Sequence, residues 1–352
     1  MVLKTEILKI NELELEMDKI EYAAKVLRDN GTVAFPTETV YGLGANALNE
    51  QAIHKIFKAK GRPADNPLII HIASLEEIYR LIQGTSSSLD KLAEAFWPGP
   101  LTIVMKKSII VPQMITAGLD TVAVRFPAHP LACSLIEAAG IPIAAPSANT
   151  SGKPSPTIAQ HVIDDLYGKV DVIIDGGPAQ VGLESTVVDI SEEVPILLRP
   201  GGITVEQLRK VLGEIHVEAA GIKQSLDSTI PRSPGMKYKH YAPNARVIII
   251  EGNQDTAVEV INQMSQEERT KGLKTGIMAL DETALLYNAD YVLSVGSEKY
   301  PQSIAANLFC TLRRFDELGV DIIYVQSVSD QGIGMAITNR LNKAAGYNII
   351  RV

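Results

Sequence analysis

The sequence predicts two α/β domains joined by an extended basic connector within a chain of 352 residues. Three observations support this prediction. Short apolar strands and amphipathic helices alternate irregularly over residues 1–215, which favours a mixed sheet. Residues 216–245 are rich in proline and in basic side chains. Strands and helices then alternate regularly over residues 246–352, which favours a smaller, parallel sheet.

The first domain begins with a helix predicted over 20–30, because apolar residues recur at helical spacing and Gly31 follows as a stop. A short buried strand is predicted over 32–35 and ends at Pro36. Several later strands follow one another without a crossover helix, so the sheet is predicted to be mixed. The remaining elements are strands over 68–72, 101–105, 122–126, 172–175 and 186–189, and helices over 51–60 and 129–140.

The connector, residues 216–245, is predicted to be extended. Between residues 222 and 246 the chain has five basic residues and one acidic residue, together with Pro231, Pro234 and Pro243. Tyr238 and two further aromatic residues lie among the cations. This composition differs from that of an inert glycine- and serine-rich linker.

The second domain, residues 246–352, is predicted to be Rossmann-like, because strands alternate with helices in βαβ order. Gly332-Ile333-Gly334 follows a strand and precedes a helix, but the third glycine of a dinucleotide fingerprint is missing. An ordinary turn is therefore favoured here, and a dinucleotide-dependent enzyme stays an alternative. The predicted strands cover 247–250, 276–280, 291–295 and 322–328, and the helices cover 257–269, 303–318 and 336–346.

Composition argues against several functional classes. The net charge is −8 and aromatic residues make up 5% of the chain, which does not suit a protein that grips nucleic acid or stacks many bases. Cys133 and Cys310 form no C-x-x-C pair and no two histidines lie at ligand spacing, so we expect no metal-binding residues. Charged residues are spread over the first seventeen positions, so the N-terminus lacks an apolar signal-peptide core. No stretch has the roughly 20 consecutive apolar residues that a membrane span requires. We therefore expect a cytoplasmic protein without membrane contact.

Polar loops at strand ends in the first domain carry the candidate chemistry. Taken singly, each loop has a structural explanation as a turn or a helix cap. Together they supply cations and hydroxyls for a triphosphate, and a cation and acceptors for an amino acid. No nucleophile–base pair accompanies them, which favours a reaction driven by positioning and electrostatics, such as nucleotidyl transfer. The loops cover residues 36–44, 60–71, 147–155, 184–186 and 199–202.

The motifs in these loops resemble those of one known family. Lys60-Gly61-Arg62 and Ser147-Ala148-Asn149 form the K-x-R and S-x-N patterns of the YrdC-like threonylcarbamoyl-AMP synthases. The stretches PTETVYGLG, RPADNPL, ESTVVD and RPGG match the same family, and GMKYKHYAP with the trailing domain matches its long two-domain members. The resemblance covers essentially the whole chain. It implies a YrdC-like twisted mixed α/β domain followed by a smaller Rossmann-like domain.

The resemblance also implies a reaction. L-threonine, bicarbonate or CO2, and ATP would give threonylcarbamoyl-AMP and pyrophosphate, the first step towards threonylcarbamoyl-adenosine in tRNA. The carbamate of threonine would attack the α-phosphorus of ATP, and Mg²⁺ held mainly by the phosphates would neutralise the leaving pyrophosphate. The implied partners are these substrates, the machinery that transfers the threonylcarbamoyl group to tRNA, and at most weak contact with tRNA or double-stranded RNA.

The family's functional positions fall on particular residues of this chain. The catalytic pattern is Lys60, Arg62, Ser147 and Asn149. Threonine binding is implied for Thr39, His71, Arg125, Ala145 and Ser185. ATP binding is implied for Arg62, Asn66, Thr121, Ser147, Ser155, Arg199 and Tyr238.

Two further predictions concern the connector and an alternative function. Residues 233–243 are predicted to fold over the nucleotide as a lid, with Tyr238 in contact with it, so that water is excluded from the labile carbamate. A passive tether is the alternative. A non-catalytic module that binds double-stranded RNA or tRNA is the alternative function, although the net charge of −8 argues against tight binding.

Overall fold

A computed structural model describes residues 3–11, 13–218 and 240–352 of the chain. The described residues divide into two compact units. The first contains residues 3–11, 13–151 and 155–218, and the second contains residues 152–154 and 240–352. Tyr238 and most of the predicted lid, residues 233–239, lie outside the described residues. The boundaries predicted at 215 and 246 stay a prediction.

The first unit is built on a mixed sheet of eleven strands, which confirms the predicted fold class. Its strand order is β1-β8-β2-β3-β7-β4-β6-β5-β9-β10-β11. The strands are β1 (Glu6–Lys9), β2 (Val33–Phe35), β3 (Gly42–Asn46), β4 (Ile69–His71), β5 (Leu101–Lys106), β6 (Thr121–Arg125), β7 (Ile143–Ala144), β8 (Val172–Asp175), β9 (Thr186–Asp189), β10 (Ile196–Arg199) and β11 (His216–Val217).

Helices of the first unit connect these strands. The structure has them as α1 (Met17–Arg28), α2 (Glu50–Lys60), α3 (Ile78–Leu81), α4 (Ser87–Phe96), α5 (Gln113–Thr116), α6 (Pro130–Ala139), α7 (Ala159–Leu166) and α8 (Val205–Leu212). Capping residues define both ends of helix α2. The Asn49 side chain accepts a hydrogen bond from the N–H of Ala52 at its start, and Gly61 adopts a φ of +61° directly after its last residue, Lys60.

Helices α1 and α6 pack over the part of the sheet that contains β2 and β8. Ile20, Ala24 and Leu27 of α1 pack there with Leu131 and Leu135 of α6, all fully buried. The cluster contains no residue of β4, β6 or β9, whose ends adjoin the polar loops noted in the sequence. The fold therefore has a large core beside the region where those loops meet.

Strand β3 corrects one expectation, since residues 42–44 were assigned to a loop. The structure places them in an antiparallel strand that pairs with β2 through Val33–Gly44 and Phe35–Gly42. A Cβ atom on Gly44 would lie 2.8 Å from Phe35 Cε1 and 2.9 Å from Ile143 Cγ2. Glycine therefore fits this strand because of close neighbours, and its low strand propensity misled the sequence prediction.

The second unit is a five-stranded sheet with parallel pairing throughout, as predicted, in the order β14-β13-β15-β12-β16. In the turn before its last helix, Gly332 adopts a φ of +56° and a Cβ on Gly334 would lie 2.0 Å from the carbonyl oxygen of Ser329. These glycines serve a tight turn. The elements are β12 (Arg246–Glu251), α9 (Gln254–Thr270), β13 (Thr275–Leu280), a 3-10 helix (Ala284–Leu286), β14 (Tyr291–Gly296), α10 (Pro301–Glu317), β15 (Ile322–Gln326), α11 (Gly334–Ala344) and β16 (Ile349–Arg351).

Candidate active site

Arg125, the last residue of β6, lies in a buried polar cluster and is only 4% exposed. Its Nη1 donates a hydrogen bond to Thr39 Oγ1 at 2.8 Å, and its Nη2 lies 2.7 Å from Glu38 Oε1. Its Nε reaches the carbonyl oxygen of Gly99 at 3.4 Å. A buried guanidinium needs such neighbours, because an uncompensated buried charge destabilises a fold by several kcal/mol.

A short, internally bonded loop after β2 positions Glu38 and Thr39. Thr37 Oγ1 donates to the carbonyl oxygen of Val40 at 2.7 Å and accepts the N–H of Thr39 at 3.2 Å. Its oxygen also lies 2.8 Å from Thr39 Oγ1. Threonine side chains commonly close turns in this way. The loop therefore holds the Glu38 carboxylate and the Thr39 hydroxyl against Arg125.

His71, the last residue of β4, is a buried and neutral imidazole beside this arginine. Strand β4 pairs with β6 so that His71 lies opposite Arg125. Burial, together with the positive charge of Arg125, lowers the pKa of His71 to about 3. The ring packs edge-on against Phe35 with 6.5 Å between ring centroids. Near neutral pH this histidine therefore offers a hydrogen-bonding ring without charge.

Ser185, Thr102 and Arg199 form the next part of the same region. The hydroxyl oxygens of Thr102 and Ser185 lie 2.7 Å apart, and Thr102 is opposite Arg125 in the β5–β6 pair. Arg199 Nη2 donates to the carbonyl oxygen of Ser185 at 2.9 Å and to its hydroxyl at 3.2 Å. Just before Ser185 in the chain, Glu184 accepts a hydrogen bond from Ser155 Oγ.

These contacts define a group that we call the Arg125 cluster. Hydrogen bonds join Thr39 to Arg125 and Ser185 to Arg199, and strand pairing places His71 and Thr102 opposite Arg125. The members of the cluster are Glu38, Thr39, His71, Thr102, Arg125, Ser155, Glu184, Ser185 and Arg199.

Lys60, Ser147 and Asn149 form a second group, which we call the Lys60 cluster. Lys60 is 3% exposed, and its Nζ donates to the carbonyl oxygens of Ser147 and of Asn149, the latter at 2.6 Å. Ser147 Oγ in turn donates to Asn149 Oδ1 at 2.6 Å. The ammonium of Lys60 thus fixes the loop that follows β7. Three of the four residues of the predicted catalytic pattern are brought together.

Arg62 and Asn66 lie on the loop between α2 and β4. Arg62 Nη2 donates to the carbonyl oxygens of Asn66 and Pro67, both at 3.2 Å. The Asn66 side chain is fully buried, and neither its oxygen nor its nitrogen is hydrogen-bonded within residues 3–11, 13–218 and 240–352. A buried amide without partners is rare in a folded protein and marks a position where a ligand can bind.

Thr121 and Ala145 complete the predicted set. Thr121 begins β6, four residues before Arg125, so the two residues lie about 13 Å apart on one face of the strand. Because β4 and β6 run parallel, Thr121 is at the same end of the sheet as Asn66. Ala145 follows β7 and donates its N–H to the carbonyl oxygen of Ile69 at 3.0 Å.

An apolar surface lies between the two ends of these strands. Cross-strand pairing and the two-residue alternation of side chains put it on the face that carries His71 and Arg125. Its residues are Ile69, Val104, Ala123 and Val187, which pack together as one buried cluster. The site therefore combines an apolar floor with cationic and hydroxyl groups at both ends, as sites for small polar ligands often do.

The arrangement supports binding and positioning better than covalent catalysis. The Cys133 thiol lies within the electrostatic influence of Glu38, but burial and the charge of Glu38 raise its pKa to about 11, so it stays protonated. No group of three or more histidine, cysteine or acidic side chains that could hold a metal ion occurs among the described residues. The paired cations and hydroxyls are suited to a carboxylate and to phosphates.

Sequence reasoning missed three members of the site. Glu38 stands in a loop that the sequence had singled out, but no role was assigned to it. Glu184 likewise stood in such a loop without an assigned role. Thr102 lies inside an apolar strand, LTIVMK, so nothing in its local sequence marks it.

Known proteins are similar to this chain over nearly its whole length. Residues 25–201 match the family model described as "Telomere recombination", and residues 203–346 match the model described as "Threonylcarbamoyl-AMP synthase, C-terminal domain". The chain is 51% identical to threonylcarbamoyl-AMP synthase of Pyrococcus abyssi, covering 99% of this chain and 100% of that protein. It is 50% identical to the Bacillus subtilis protein of the same name, covering 97% of each.

Among solved structures, the chain is similar to Sua5 of P. abyssi in complex with L-threonine. The TM-score is 0.93 and the identity is 51%, covering 98% of this chain and 99% of that one. Within the part of the chain that the structure describes, no helix is both long enough and apolar enough to cross a membrane.

Proposed function

The chain belongs to the threonylcarbamoyl-AMP synthase family of Sua5 type, and we propose that it binds L-threonine at the Arg125 cluster and ATP around the Lys60 cluster. Its reaction is a nucleotidyl transfer that makes threonylcarbamoyl-AMP for the modification of tRNA. The observation that supports these assignments best is the buried guanidinium of Arg125, held beside hydroxyl groups and a neutral histidine on one sheet face.

L-threonine carries a carboxylate, an ammonium group and a hydroxyl. The planar guanidinium of Arg125 matches a carboxylate, and its Nη2 makes no hydrogen bond to any residue among 3–11, 13–218 and 240–352. Thr39, Ser185 and neutral His71 offer polar groups for the hydroxyl. We assign Ala145 to the same subsite through its place beside β4. In the reaction, the amino group takes up CO2, and the resulting carbamate oxygen attacks the α-phosphorus and displaces pyrophosphate.

ATP would lie along the opposite end of the same face. Arg62 supplies a cation, Asn66 a buried amide without a hydrogen bond to the described residues, and Ser147 a hydroxyl. Thr121 lies at the same strand end as Asn66. Lys60 acts mainly on the Ser147–Asn149 loop. Ser155 and Arg199 reach this ligand from the Arg125 cluster, where the phosphate and the carbamate must meet. Tyr238 is assigned to the nucleotide from the sequence alone.

Mg²⁺ would take its ligands mainly from the phosphates and water, because no metal-binding cluster of histidine, cysteine or acidic side chains occurs among the described residues. The ion would neutralise charge on the leaving pyrophosphate. The product, a reactive mixed anhydride, would pass to the proteins that transfer the threonylcarbamoyl group to tRNA. Contact with RNA would be weak at most, since the net charge of the chain is −8.

Pyrophosphate release tests this proposal. Release should require L-threonine and bicarbonate together, because the nucleophile is the carbamate and neither the free amine nor water. Each substrate is omitted in turn, and chelation of Mg²⁺ should slow release without preventing the binding of threonine. Equal turnover with ATP alone would contradict the proposal.

A further inference from the structure

Glu38 is a buried carboxylate without hydrogen bonds to the described residues. The residue is 6% exposed, and neither Oε1 nor Oε2 accepts a hydrogen bond from any residue among 3–11, 13–218 and 240–352. An ionised carboxylate has about four acceptor positions, and leaving them unfilled in a protein interior is unfavourable. Buried polar groups without partners are rare, and each one calls for a ligand or another explanation.

The contact between Glu38 and Arg125 does not meet this need. Oε1 lies 2.7 Å from Arg125 Nη2, but this Nη2 also makes no hydrogen bond to a described residue, so the contact is an ion pair without aligned donor and acceptor. The other two nitrogens of Arg125 are engaged, with Thr39 and with the carbonyl oxygen of Gly99. Within the part of the chain that the structure describes, an acceptor and a donor of opposite charge thus lie side by side without a hydrogen bond.

We propose that Glu38 binds the amino group of L-threonine while Arg125 binds its carboxylate. This inference rests on the assignment of the Arg125 cluster to threonine. From standard bond lengths, the nitrogen of an α-amino acid lies about 2.5 Å from its carboxylate carbon. The charged groups of Glu38 and Arg125 lie 2.7 Å apart at their nearest atoms, a similar spacing in the opposite polarity. The pair is therefore complementary to an amino-acid zwitterion.

The same contact remains useful during the reaction. When an ammonium group becomes a carbamate, the nitrogen forms one bond to the carbon of CO2, releases two protons to solvent and keeps one N–H. That N–H continues to donate to Glu38. Glu38 therefore fixes the nitrogen before and after carbamate formation, so that the carbamate oxygens point away from Arg125 and towards the nucleotide.

A purely structural role for Glu38 is the competing explanation. In that case Glu38 would only orient Arg125, and replacing Glu38 would weaken the binding of every carboxylate ligand equally. The two explanations differ for a ligand without an amino group, such as β-hydroxybutyrate with the configuration of threonine at its hydroxyl carbon. This compound keeps the carboxylate and the hydroxyl and lacks only the nitrogen.

Isothermal titration of the full chain with both ligands tests the proposal. Glu38→Gln should weaken L-threonine binding about 10- to 100-fold, the range for hydrogen bonds to charged groups, and change β-hydroxybutyrate binding less than about threefold. Glu137→Gln, an exposed glutamate on α6, is the matched control and should leave both affinities unchanged. An equal loss for the two ligands, or no loss for L-threonine, would overturn the proposal.

A second variant covers the case in which Glu38→Gln does not fold. Glu38→Asp keeps the charge and withdraws the carboxylate by one methylene, so threonine affinity should fall while β-hydroxybutyrate affinity is kept. Unchanged threonine affinity in this variant would contradict the inference. If the unmodified protein itself fails to bind L-threonine, the proposed site fails, which is a different result from failure of the Glu38 assignment.

Discussion

Replacing Lys60 by methionine tests the connection between α2 and the Ser147–Asn149 loop. The Lys60 ammonium is buried and donates to two main-chain carbonyl oxygens of that loop and, at 3.4 Å, to Asn149 Oδ1. Methionine has a similar length and no donor. The two carbonyl groups would lose the ammonium donor.

The expected loss follows from those contacts. A buried acceptor left unsatisfied is unfavourable by about 1–3 kcal/mol, so two such groups give about 2–6 kcal/mol in the free energy of unfolding. ATP affinity should fall together with stability, because the loop carries Ser147. L-threonine affinity should change less, since the hydrogen bonds of Lys60 go to the Ser147–Asn149 loop.

Urea unfolding and calorimetric titration with each ligand measure these effects. Lys58→Met is the matched control, because Lys58 is exposed on the same helix and its replacement should change stability by less than about 0.5 kcal/mol. If Lys60→Met unfolds at the same urea concentration as Lys58→Met and binds ATP equally well, Lys60 does not hold the loop and the reasoning fails.

Three further predictions concern other parts of the first unit. Arg62→Ala should weaken ATP binding by about 1.5–3 kcal/mol and leave threonine binding nearly unchanged, whereas Arg199→Ala should weaken both in calorimetry because its guanidinium also holds Ser185. The unfolded pKa of His71 is near 6.5 and the folded pKa near 3, so the unfolded chain binds the proton first and stability falls as the pH drops from 6.5 towards 3. His71→Asn should flatten that part of the curve of unfolding free energy against pH, and an unchanged slope would refute the assignment. Gly44→Ala should destabilise the fold by about 1–3 kcal/mol in urea unfolding because its methyl group would overlap neighbouring side chains, and a neutral effect would show that the strand can adjust.

Local patterns in the sequence predicted most helices and strands of both units. Apolar runs between glycine and proline mark β6 and β9, and the apolar stripe with its stop at Gly31 marks α1 within three residues of its observed start at Met17. Strand β3 was missed because GLGAN lacks the branched side chains that favour a strand. The order of the eleven strands has no local signal at all, since it depends on pairing between distant segments.

Contacts between distant segments of the chain also limit what the sequence predicts about the site. The loops that carry it were visible, because polar residues follow apolar strands, and the resemblance assigned roles to several of their residues. The contact of Glu38 with Arg125 joins residues that are 87 positions apart and depends on which strands lie between them. The hydroxyl contact of Thr102 with Ser185 spans 83 positions for the same reason. Only the three-dimensional fold therefore shows that these groups face each other.

Labelled bicarbonate gives the most direct test of the central claim, that threonine carbamate attacks ATP on the sheet face between the two clusters. The full chain is incubated with carbon-labelled bicarbonate, L-threonine and ATP, and the products are separated and identified by mass spectrometry. The account predicts one labelled carbon in a threonylcarbamoyl-AMP adduct, formed together with an equal amount of pyrophosphate, and loss of this adduct in Arg125→Ala. Release of AMP and pyrophosphate without a labelled adduct, or an undiminished yield in Arg125→Ala, would contradict it.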